Sequence, residues 1–172
     1  MVISVREATL GDLDTINKMA VETFYETYSW YNTPEDMEEY TRVNFSKEQI
    51  LRDLKTAGSF FFVAVINNQI IGYAKLGSGK APEQLNTKNH IEIERIYVAQ
   101  KYQNLKAGYA LIKKCIETAR EKNLDTIWLG VWKKNTKATA FYQRVGFKIF
   151  GEHVFRLGKD PQDDYLMKYD IN

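Results

Sequence analysis

Apolar and polar positions along this chain repeat with the two periods that distinguish strands from helices. Alternation in the N-terminal segment VISVREA predicts a first strand. Six later segments are alternating or continuously apolar and predict further strands: FFFVAVI, IIGYAKLG, HIEIERIYVA, TIWLGVW, FKIFGEHVF and YLMKYDI. The first two of these six are separated by the turn NNQ and are therefore expected to form a hairpin.

Helical periodicity bounded by capping residues predicts five helices. These helices are LGDLDTINKMAVETFYETY, a segment beginning at Pro34, KEQILRDLKTA, residues 106–122 and TKATAFYQRV. Polar residues cap the start of four of them, and glycine closes two. The caps and stops are Thr9 with Asp12, Thr33 with Asp36, Ser46 with Gln49, Asn135, Gly58 and Gly146. The first third of the chain is therefore expected to be mostly helical.

A helix separates the strand that ends at Val98 from the strand that starts near Thr126, and this order predicts a parallel crossover. The rest of the sheet is expected to be antiparallel, so the predicted fold class is α/β, with a mixed, mostly antiparallel twisted sheet flanked by helices. Parallel central strands can splay apart, which would leave backbone at residues 96–98 free to pair with a ligand. The loop QNLKAG, residues 103–108, enters the next helix, where unpaired N–H groups favour a phosphate.

The composition limits the classes of partner that need to be considered. Of 172 residues, 44% are hydrophobic and 27% are charged, which indicates one domain over residues 1–172. The formal net charge of +2 is too small to require nucleic acid or an anionic membrane as a partner. No apolar stretch reaches the roughly 18 residues of a spanning helix, so we expect a cytoplasmic protein. The single Cys115 has no internal disulfide partner, which fits a reducing compartment.

The helix TKATAFYQRV carries regularly spaced residues that could line the gap between splayed strands. Asn135 starts the helix, and Tyr142 follows about two turns later. Both side chains therefore project from nearly the same helix face. This face is expected to border the gap.

With these two segments in this order, the chain resembles the GNAT superfamily of N-acetyltransferases, which acetylate amines with acetyl-CoA. The resemblance covers essentially the whole chain. In that family a Q/R-x-x-G-x-G/A loop holds the CoA pyrophosphate, and here Gln103, Lys106 and Gly108 take its marked positions, with lysine in place of the usual glycine. The pattern N-x-x-A-x-x-x-Y-x-x-x-G-F is complete from Asn135 to Phe147.

The resemblance implies a GNAT fold with acetyl-CoA as the cofactor. The residues that it places against acetyl-CoA are Ile96, Tyr97, Val98, Gln103, Asn104, Leu105, Lys106, Ala107, Gly108, Tyr109, Asn135 and Tyr142. A narrower similarity, carried by ETFYETY, NTPEDM, IWLGVWKKN and GEHVFRLGKDPQDDYLM, is to PaiA-type polyamine acetyltransferases. It implies a small-molecule amine such as spermidine or spermine as the acceptor.

The chemistry of acetyl transfer to an amine requires a base. An amine with an unperturbed pKa of ~10.4 arrives protonated at neutral pH. Glu92 and Glu94 lie on one predicted strand, point to the same face and come shortly before the expected gap, so either could accept the proton. Alignment with the family ranks Glu92 first and Glu94 second. Tyr142 stays protonated at pH 7 and is expected to protonate the CoA thiolate, as in the family, while a backbone N–H near Val98 polarises the thioester carbonyl.

The acceptor site is expected between Lys18 and Arg42, where acidic and aromatic residues occur without a basic residue. Acidic surfaces attract cations, and aromatic faces hold ammonium groups or their methylene stems. In the alternative interpretation, the acids form an ordinary solvated helix face and the aromatics pack in the core. The candidate acceptor-binding residues are Glu22, Tyr25, Tyr31 and Glu39.

Two other functions stay open at this point. A protein N-terminal or lysine acetyltransferase would need an open peptide groove rather than a closed acidic pocket. A catalytically silent acetyl-CoA-binding regulator is suggested by Lys106 in the glycine position of the loop. The sequence also leaves the oligomeric state open. Homodimers are common for such domains, but no apolar stripe of this sequence indicates one. No metal site is expected, since the histidines and Cys115 lack zinc-ligand spacing, and Cys115 lies on an apolar helical stripe.

Overall fold

The computed structural model describes residues 1–171, which form seven strands and five helices. The strands are β1 (Ser4–Glu7), β2 (Phe60–Ile66), β3 (Gln69–Gly77), β4 (His90–Val98), β5 (Thr126–Trp132), β6 (Lys148–Leu157) and β7 (Asp160–Asp170). The helices are α1 (Leu13–Tyr28), α2 (Pro34–Asn44), α3 (Lys47–Lys55), α4 (Ala107–Glu121) and α5 (Thr136–Val145). Short 3-10 turns precede α1, follow it and precede α4, at Leu10–Asp12, Ser29–Tyr31 and Gln100–Leu105.

All seven described strands belong to one sheet, in the order β1-β2-β3-β4-β5-β7-β6. The neighbours β4 and β5 are parallel, and the other neighbouring pairs are antiparallel. Helix α4 makes the connection from β4 to β5, since a parallel pair needs a crossover between its strands. The mixed α/β sheet predicted from the order of elements is confirmed.

The sheet separates two apolar cores. On one side, α4 and α5 pack against the strands through buried residues such as Leu111 and Tyr142. On the other side, α1, α2 and α3 contribute Phe24, Met37 and Ile50. Because both faces of the central strands are covered, FFFVAVI is continuously apolar instead of alternating.

Local capping fixes the ends of the helices that border the site. The Thr33 hydroxyl accepts a hydrogen bond from the N–H of Asp36 at 3.2 Å, which starts α2. The side-chain oxygen Oδ1 of Asn135 accepts from the N–H of Ala138 at 3.1 Å, which starts α5. Gly146 ends α5 in the left-handed region, with φ 117°. The predicted bounds of α5 are confirmed because both of its ends are encoded locally.

Strand β7 is longer than the sequence predicts. Its predicted start near Tyr165 was wrong, because the strand begins at Asp160. The segment DPQDD is poor in strand-forming residues. It is extended because it continues the hairpin with β6 across a turn at Gly158, and Pro161 pairs with β6 before the pairing with β5 begins. The extension places additional polar side chains beside the central strands.

Candidate active site

A cleft of about 620 Å³ opens where β4 and β5 separate. The last paired residues of the two strands are Glu92 and Trp128. Strand β4 continues to Val98 while pairing with β3, so its opposite edge is free of strand pairing from residue 93 onward. The gap thus begins at residue 93, earlier than the residue 96 expected from the sequence.

Most of the predicted cofactor residues line this cleft. They come from β4, the loop before α4, the first turn of α4 and helix α5: Ile96, Tyr97, Val98, Gln103, Asn104, Lys106, Gly108, Tyr109, Asn135 and Tyr142. Two of the predicted residues do not line it. Ala107 is buried in the core beneath α4, and Leu105 is exposed elsewhere on the loop.

The loop before α4 is held by specific contacts. The Gln103 amide nitrogen donates to the carbonyl oxygen of Val98 at 3.2 Å, and its amide oxygen accepts from Lys137 Nζ at 3.2 Å. Lys106 lies in the left-handed region with φ 64° and ψ 17°, where glycine is favoured. Because α4 begins at Ala107, the N–H groups of its first turn have no partner inside the helix and are available to an anion.

Basic side chains that the sequence analysis did not single out surround this loop. Lys134, Lys137 and Arg144 line the cleft together with Lys106. Lys137 and Arg144 are about two turns apart on α5, so they share one helix face. The same seven-residue spacing relates Asn135 and Tyr142, so the sequence could have identified Lys137 and Arg144 as basic residues on one face of α5. Lys106, Lys137 and Arg144 provide opposite charge for a phosphorylated ligand.

Replacing Lys106 by glycine should stabilise the protein. A side chain in the left-handed region costs about 1–2 kcal/mol, and the greater freedom of glycine in the unfolded chain offsets up to about 1 kcal/mol of this gain. We therefore expect Lys106→Gly to raise the free energy of unfolding in urea by about 0.5–1 kcal/mol. Lys106→Ala keeps the strain while removing the charge, so it should bring no such gain. An equal rise in the free energy of unfolding in both variants would show that loss of the charge, and not relief of backbone strain, stabilises the protein.

Tyr142 borders the cleft with its side chain almost enclosed. The residue is 8% exposed, and its ring packs against Phe141 and Phe147 with centroid distances of 5.3 and 5.9 Å. Burial, and to a smaller extent the neighbouring Tyr97, raises the pKa of Tyr142 above its ordinary value. The phenol therefore keeps its proton throughout the neutral range and can act as a proton donor.

A β-bulge lies at the second of the two candidate bases. The pairing of β4 with β3 skips Glu94, which is the extra residue on β4. Glu94 lines the cleft, and its Oε2 lies 2.5 Å from Nζ of Lys75. Lys75 is buried and also lies 3.2 Å from Oδ2 of Asp53 on α3. The negative charge of Glu94 thus has a fixed partner.

Glu92 has a different environment, since it is half-buried and does not line the cleft. Burial, and after it the charge of Glu94, raises the pKa of Glu92 to about 7, whereas Lys75 lowers it. A carboxyl group with a pKa near neutrality exchanges protons readily at physiological pH. Glu92 therefore has a proton affinity suited to a base at neutral pH, and Glu94 has the more direct access to the cleft.

Among the candidate acceptor-binding residues, all of which lie in the described part of the chain, Tyr31 alone lines the cleft. Glu22 is exposed and lies 3.9 Å from Lys18, and Glu39 is also exposed. Tyr25 packs against the core formed with α1, α2 and α3. The structure therefore does not bring Glu22, Glu39 and Tyr25 to the cleft, and their positions fit a solvated helix face and core packing.

Tyr31 belongs to an aromatic group that the sequence analysis did not assemble. Its ring centroid lies 4.8 Å from that of Trp132, which in turn lies 5.4 Å from that of Tyr28. All three residues line the cleft. The rings come from α1, the 3-10 turn after it and β5, so no local sequence pattern could have shown that they meet.

A buried carboxylate, also missed in the sequence, lies next to this aromatic group. Asp164 is 7% exposed and pairs with Trp132 across β5 and β7. Its Oδ2 lies 3.5 Å from Nε2 of His153, while its Oδ1 is buried without a hydrogen-bond partner among residues 1–171. Burial raises the pKa of the Asp164 carboxyl, and His153 opposes this effect. The sequence analysis did not single out Asp164, because DPQDD lies outside the predicted strands.

Cys115 has the environment of a core residue. It is buried within α4, and burial raises the pKa of its thiol to about 12, so it is not a nucleophile. Within residues 1–171, no cluster of histidine, cysteine, aspartate and glutamate could hold a metal ion. None of the described helices combines the length and the apolar character needed to cross a bilayer.

Comparison with known proteins gives consistent similarities in sequence and fold. The sequence pattern of the acetyltransferase (GNAT) family matches residues 20–147. An uncharacterized N-acetyltransferase of Lactobacillus delbrueckii subsp. lactis is 35% identical over 167 residues, which are 97% of this chain and 95% of that protein. A spermidine N(1)-acetyltransferase of Thermoplasma acidophilum is 26% identical over 153 residues, 87% of this chain and 90% of that protein. The crystal structure of a PaiA N-acetyltransferase from Thermoplasma acidophilum in complex with coenzyme A has the same fold, with a TM-score of 0.81, 24% identity and 99% coverage of both chains.

Proposed function

Because the chain belongs to the acetyltransferase (GNAT) family and is an acetyl-CoA-dependent N-acetyltransferase, we propose that it acetylates a primary amine of a polyamine such as spermidine or spermine. The transfer is direct, with donor and acceptor bound at the same time. A relative that is 26% identical and named a spermidine N(1)-acetyltransferase supports the choice of acceptor. The chemistry of the cleft supports it independently.

The observation that carries the proposal is the different chemistry of the two sides of the cleft. The side formed by α4 and α5 carries the basic residues Lys106, Lys137 and Arg144, which suit an anionic donor. The side formed by α1, the turn after it and β4 carries aromatic rings and the carboxylate of Glu94, which is paired with Lys75. Arg95 of β4 also lines this side, but its guanidinium lies over the ring of Phe45 and 3.9 Å from Asp53. Aromatic faces and carboxylates favour a cationic acceptor with an aliphatic stem.

The residues present fit acetyl-CoA. Gln103 and the first-turn N–H groups of α4 would hold the pyrophosphate, and Lys106, Lys137 and Arg144 would provide opposite charge. The free edge of β4 at residues 96–98 offers backbone groups to the amides of the cofactor arm. When bound, acetyl-CoA supplies a thioester whose acetyl group is activated for attack by an amine.

Glu92 is the proposed proton acceptor, and Glu94 is the second candidate. The incoming ammonium group must lose a proton before its nitrogen can attack. Glu92, with a pKa of about 7, can take up that proton at neutral pH. Since Glu92 does not line the cleft, the proton must be relayed to it from the acceptor. Glu94 lines the cleft close to Glu92 and lies on the path of such a relay.

Tyr142 is the proposed proton donor to the departing sulfur. It borders the cleft and holds its proton at neutral pH, because burial raises the pKa of its hydroxyl. The backbone N–H near Val98 is the proposed hydrogen-bond donor to the carbonyl oxygen on which negative charge develops. Together these groups supply a base, an acid and an oxyanion donor.

The proposal is tested by thiol release from acetyl-CoA with purified protein and a panel of acceptors at matched ionic strength. The panel contains spermidine, spermine, diamines, free amino acids and a basic peptide. We expect turnover with the polyamines and little with amino acids or peptide. Turnover with the peptide alone would instead indicate a protein acetyltransferase. Binding of acetyl-CoA without turnover of any amine would indicate a silent regulator.

A further inference from the structure

The geometry points to a second cation site at the wall of the cleft, where Asp164 binds an ammonium group of the acceptor other than the one that is acetylated. Asp164 does not itself line the cleft, but lies directly behind the lining residues Gly130 and Trp132. The rings of Tyr28, Tyr31 and Trp132 flank this site. The inference rests on the proposed function, because it identifies the residue by which a polyamine would be distinguished from a monoamine. Its ligand is one end of a flexible aliphatic chain that carries at least two positive charges.

The first observation is the unsatisfied carboxylate itself. Asp164 is 7% exposed, and the structure gives Oδ1 no hydrogen-bond partner among the residues it describes. Its neighbour His153 lies on the Oδ2 side at 3.5 Å and is itself partly exposed, with 42% of its side chain accessible. A buried carboxylate oxygen without a donor is costly to stability. An ammonium group, which carries three N–H donors and a positive charge, would satisfy it.

A second buried acceptor lies on the same face of β7. Gln162 is two residues before Asp164, and its Oε1 is also buried without a partner within residues 1–171. Its orientation is fixed, because its Nε2 donates to Oδ1 of Asn32 at 2.7 Å and to Oδ2 of Asp160 at 3.3 Å. Asn32 directly follows the 3-10 turn that carries Tyr31. Two hydrogen-bond acceptors without partners, Oδ1 of Asp164 and Oε1 of Gln162, therefore lie on β7. This strand contacts Asn32, which adjoins the turn that lines the cleft through Tyr31.

Gly130 leaves the carboxylate next to the open cleft. This residue lines the cleft on β5 and is exposed. A Cβ at Gly130 would lie 3.2 Å from Oδ2 of Asp164 and 3.2 Å from Nε2 of His153. Any side chain at this position would therefore crowd the carboxylate. The absence of a side chain at Gly130 leaves the space between the cleft wall and the Asp164 carboxylate free.

The aromatic rings beside Asp164 already interact with an ammonium group. Nζ of Lys134 lies 5.4 Å from the ring centroid of Tyr31 and 5.6 Å from that of Trp132. Lys134 is exposed and sits on a flexible stem, so a substrate ammonium can take its place over the rings. Both rings thus have a face within cation–π distance of an ammonium group.

The separation between the two acidic positions selects for acceptor length. Glu92 pairs with Trp128 and Asp164 pairs with Trp132, four residues further along β5. Four residues of a strand span about 13 Å, and the two strand spacings from β4 across β5 to β7 add about 10 Å across the sheet, so the two acidic positions are roughly 16 Å apart. An extended aliphatic polyamine can place one nitrogen near the proposed base and another near Asp164. A simple monoamine cannot reach both.

Asp164→Asn tests the site, because it keeps the shape of the side chain and removes its charge. Steady-state kinetics should be measured with spermidine and with propylamine at saturating acetyl-CoA. We expect KM for spermidine to rise at least about tenfold, while KM for propylamine and the affinity for acetyl-CoA stay unchanged. Calorimetric titration of the CoA-bound protein with spermidine should show the same loss of affinity without depending on turnover.

Asp163→Asn is the matched control. Asp163 is the neighbouring residue on β7, but it is exposed and points to the other face of the strand. This variant removes the same charge from the same strand and should leave both KM values unchanged. Because removal of a buried charge can affect folding, Tyr31→Ala provides a second test on an exposed residue and should also raise KM for spermidine selectively.

The outcomes separate this inference from the proposed function. Efficient acetylation of spermidine by the wild-type protein, together with unchanged spermidine KM in both Asp164→Asn and Tyr31→Ala, would overturn the cation site and leave the polyamine proposal intact. Equal losses with spermidine and propylamine would also overturn it. A wild-type protein that neither acetylates nor binds any polyamine would overturn both.

Discussion

Replacing Tyr142 by phenylalanine should lower kcat by about 100-fold or more, the usual contribution of a general acid. The affinity for acetyl-CoA should stay within about twofold, because the aromatic ring that packs on Phe141 and Phe147 is retained. Only the hydroxyl group is lost. The measurement is steady-state thiol release together with calorimetric titration of acetyl-CoA.

Tyr169 offers a matched control for this substitution. It packs on Phe147 with a centroid distance of 5.6 Å but does not line the cleft. Tyr169→Phe should therefore have little effect on kcat. If Tyr142→Phe weakened acetyl-CoA binding as much as it lowered turnover, Tyr142 would have a structural role and not that of an acid.

Glu92→Gln should lower kcat/KM by about 100-fold and remove the ionisation near pH 7 from the pH–rate profile. In the wild-type protein the carboxylate is the active form of a base. Activity should therefore rise as the pH increases through about 7, the value to which burial and Glu94 raise the pKa of Glu92. An amide cannot take up the proton at any pH, so the variant should show no such rise. The profile should be recorded at saturating acetyl-CoA.

Glu94→Gln separates the roles of the two acids. The charge of Glu94 raises the pKa of Glu92, so its removal should move the midpoint of the activity rise to lower pH without abolishing the rise. The reverse pattern, with the rise kept in Glu92→Gln and lost in Glu94→Gln, would make Glu94 the base. Loss of the rise in both variants would indicate that the two carboxyl groups titrate as one unit.

The parts of the fold that could be predicted from the sequence are those encoded by neighbouring residues. Helix α5 agrees with its predicted bounds because Asn135 caps one end and Gly146 closes the other. The parallel crossover followed from the order of strand, helix and strand alone. The loop of residues 103–108 enters α4 as the sequence predicts, and Lys106 has there the left-handed conformation typical of glycine.

The parts that escaped prediction depend on contacts between distant segments. The point at which β4 and β5 separate depends on their register, which is set by the whole sheet and not by either strand. Lys75, Asp53 and Glu94 come from β3, α3 and β4, so no local pattern shows that they form one buried charge cluster. Asp164 lies in a segment whose composition favours a loop and whose strand conformation comes from its pairing partners.

The two apolar cores described above have a consequence for how this protein can diversify. Residues such as Met37 and Ile50 pack on one side of the sheet, and residues such as Leu111 pack on the other. Substitutions at well-separated sites without shared partners are nearly additive in their energetic effects. The segment from α1 to α3 can therefore accumulate changes without disturbing the packing around α4 and α5. The acceptor amine can therefore change during evolution while acetyl-CoA is kept as the acyl donor.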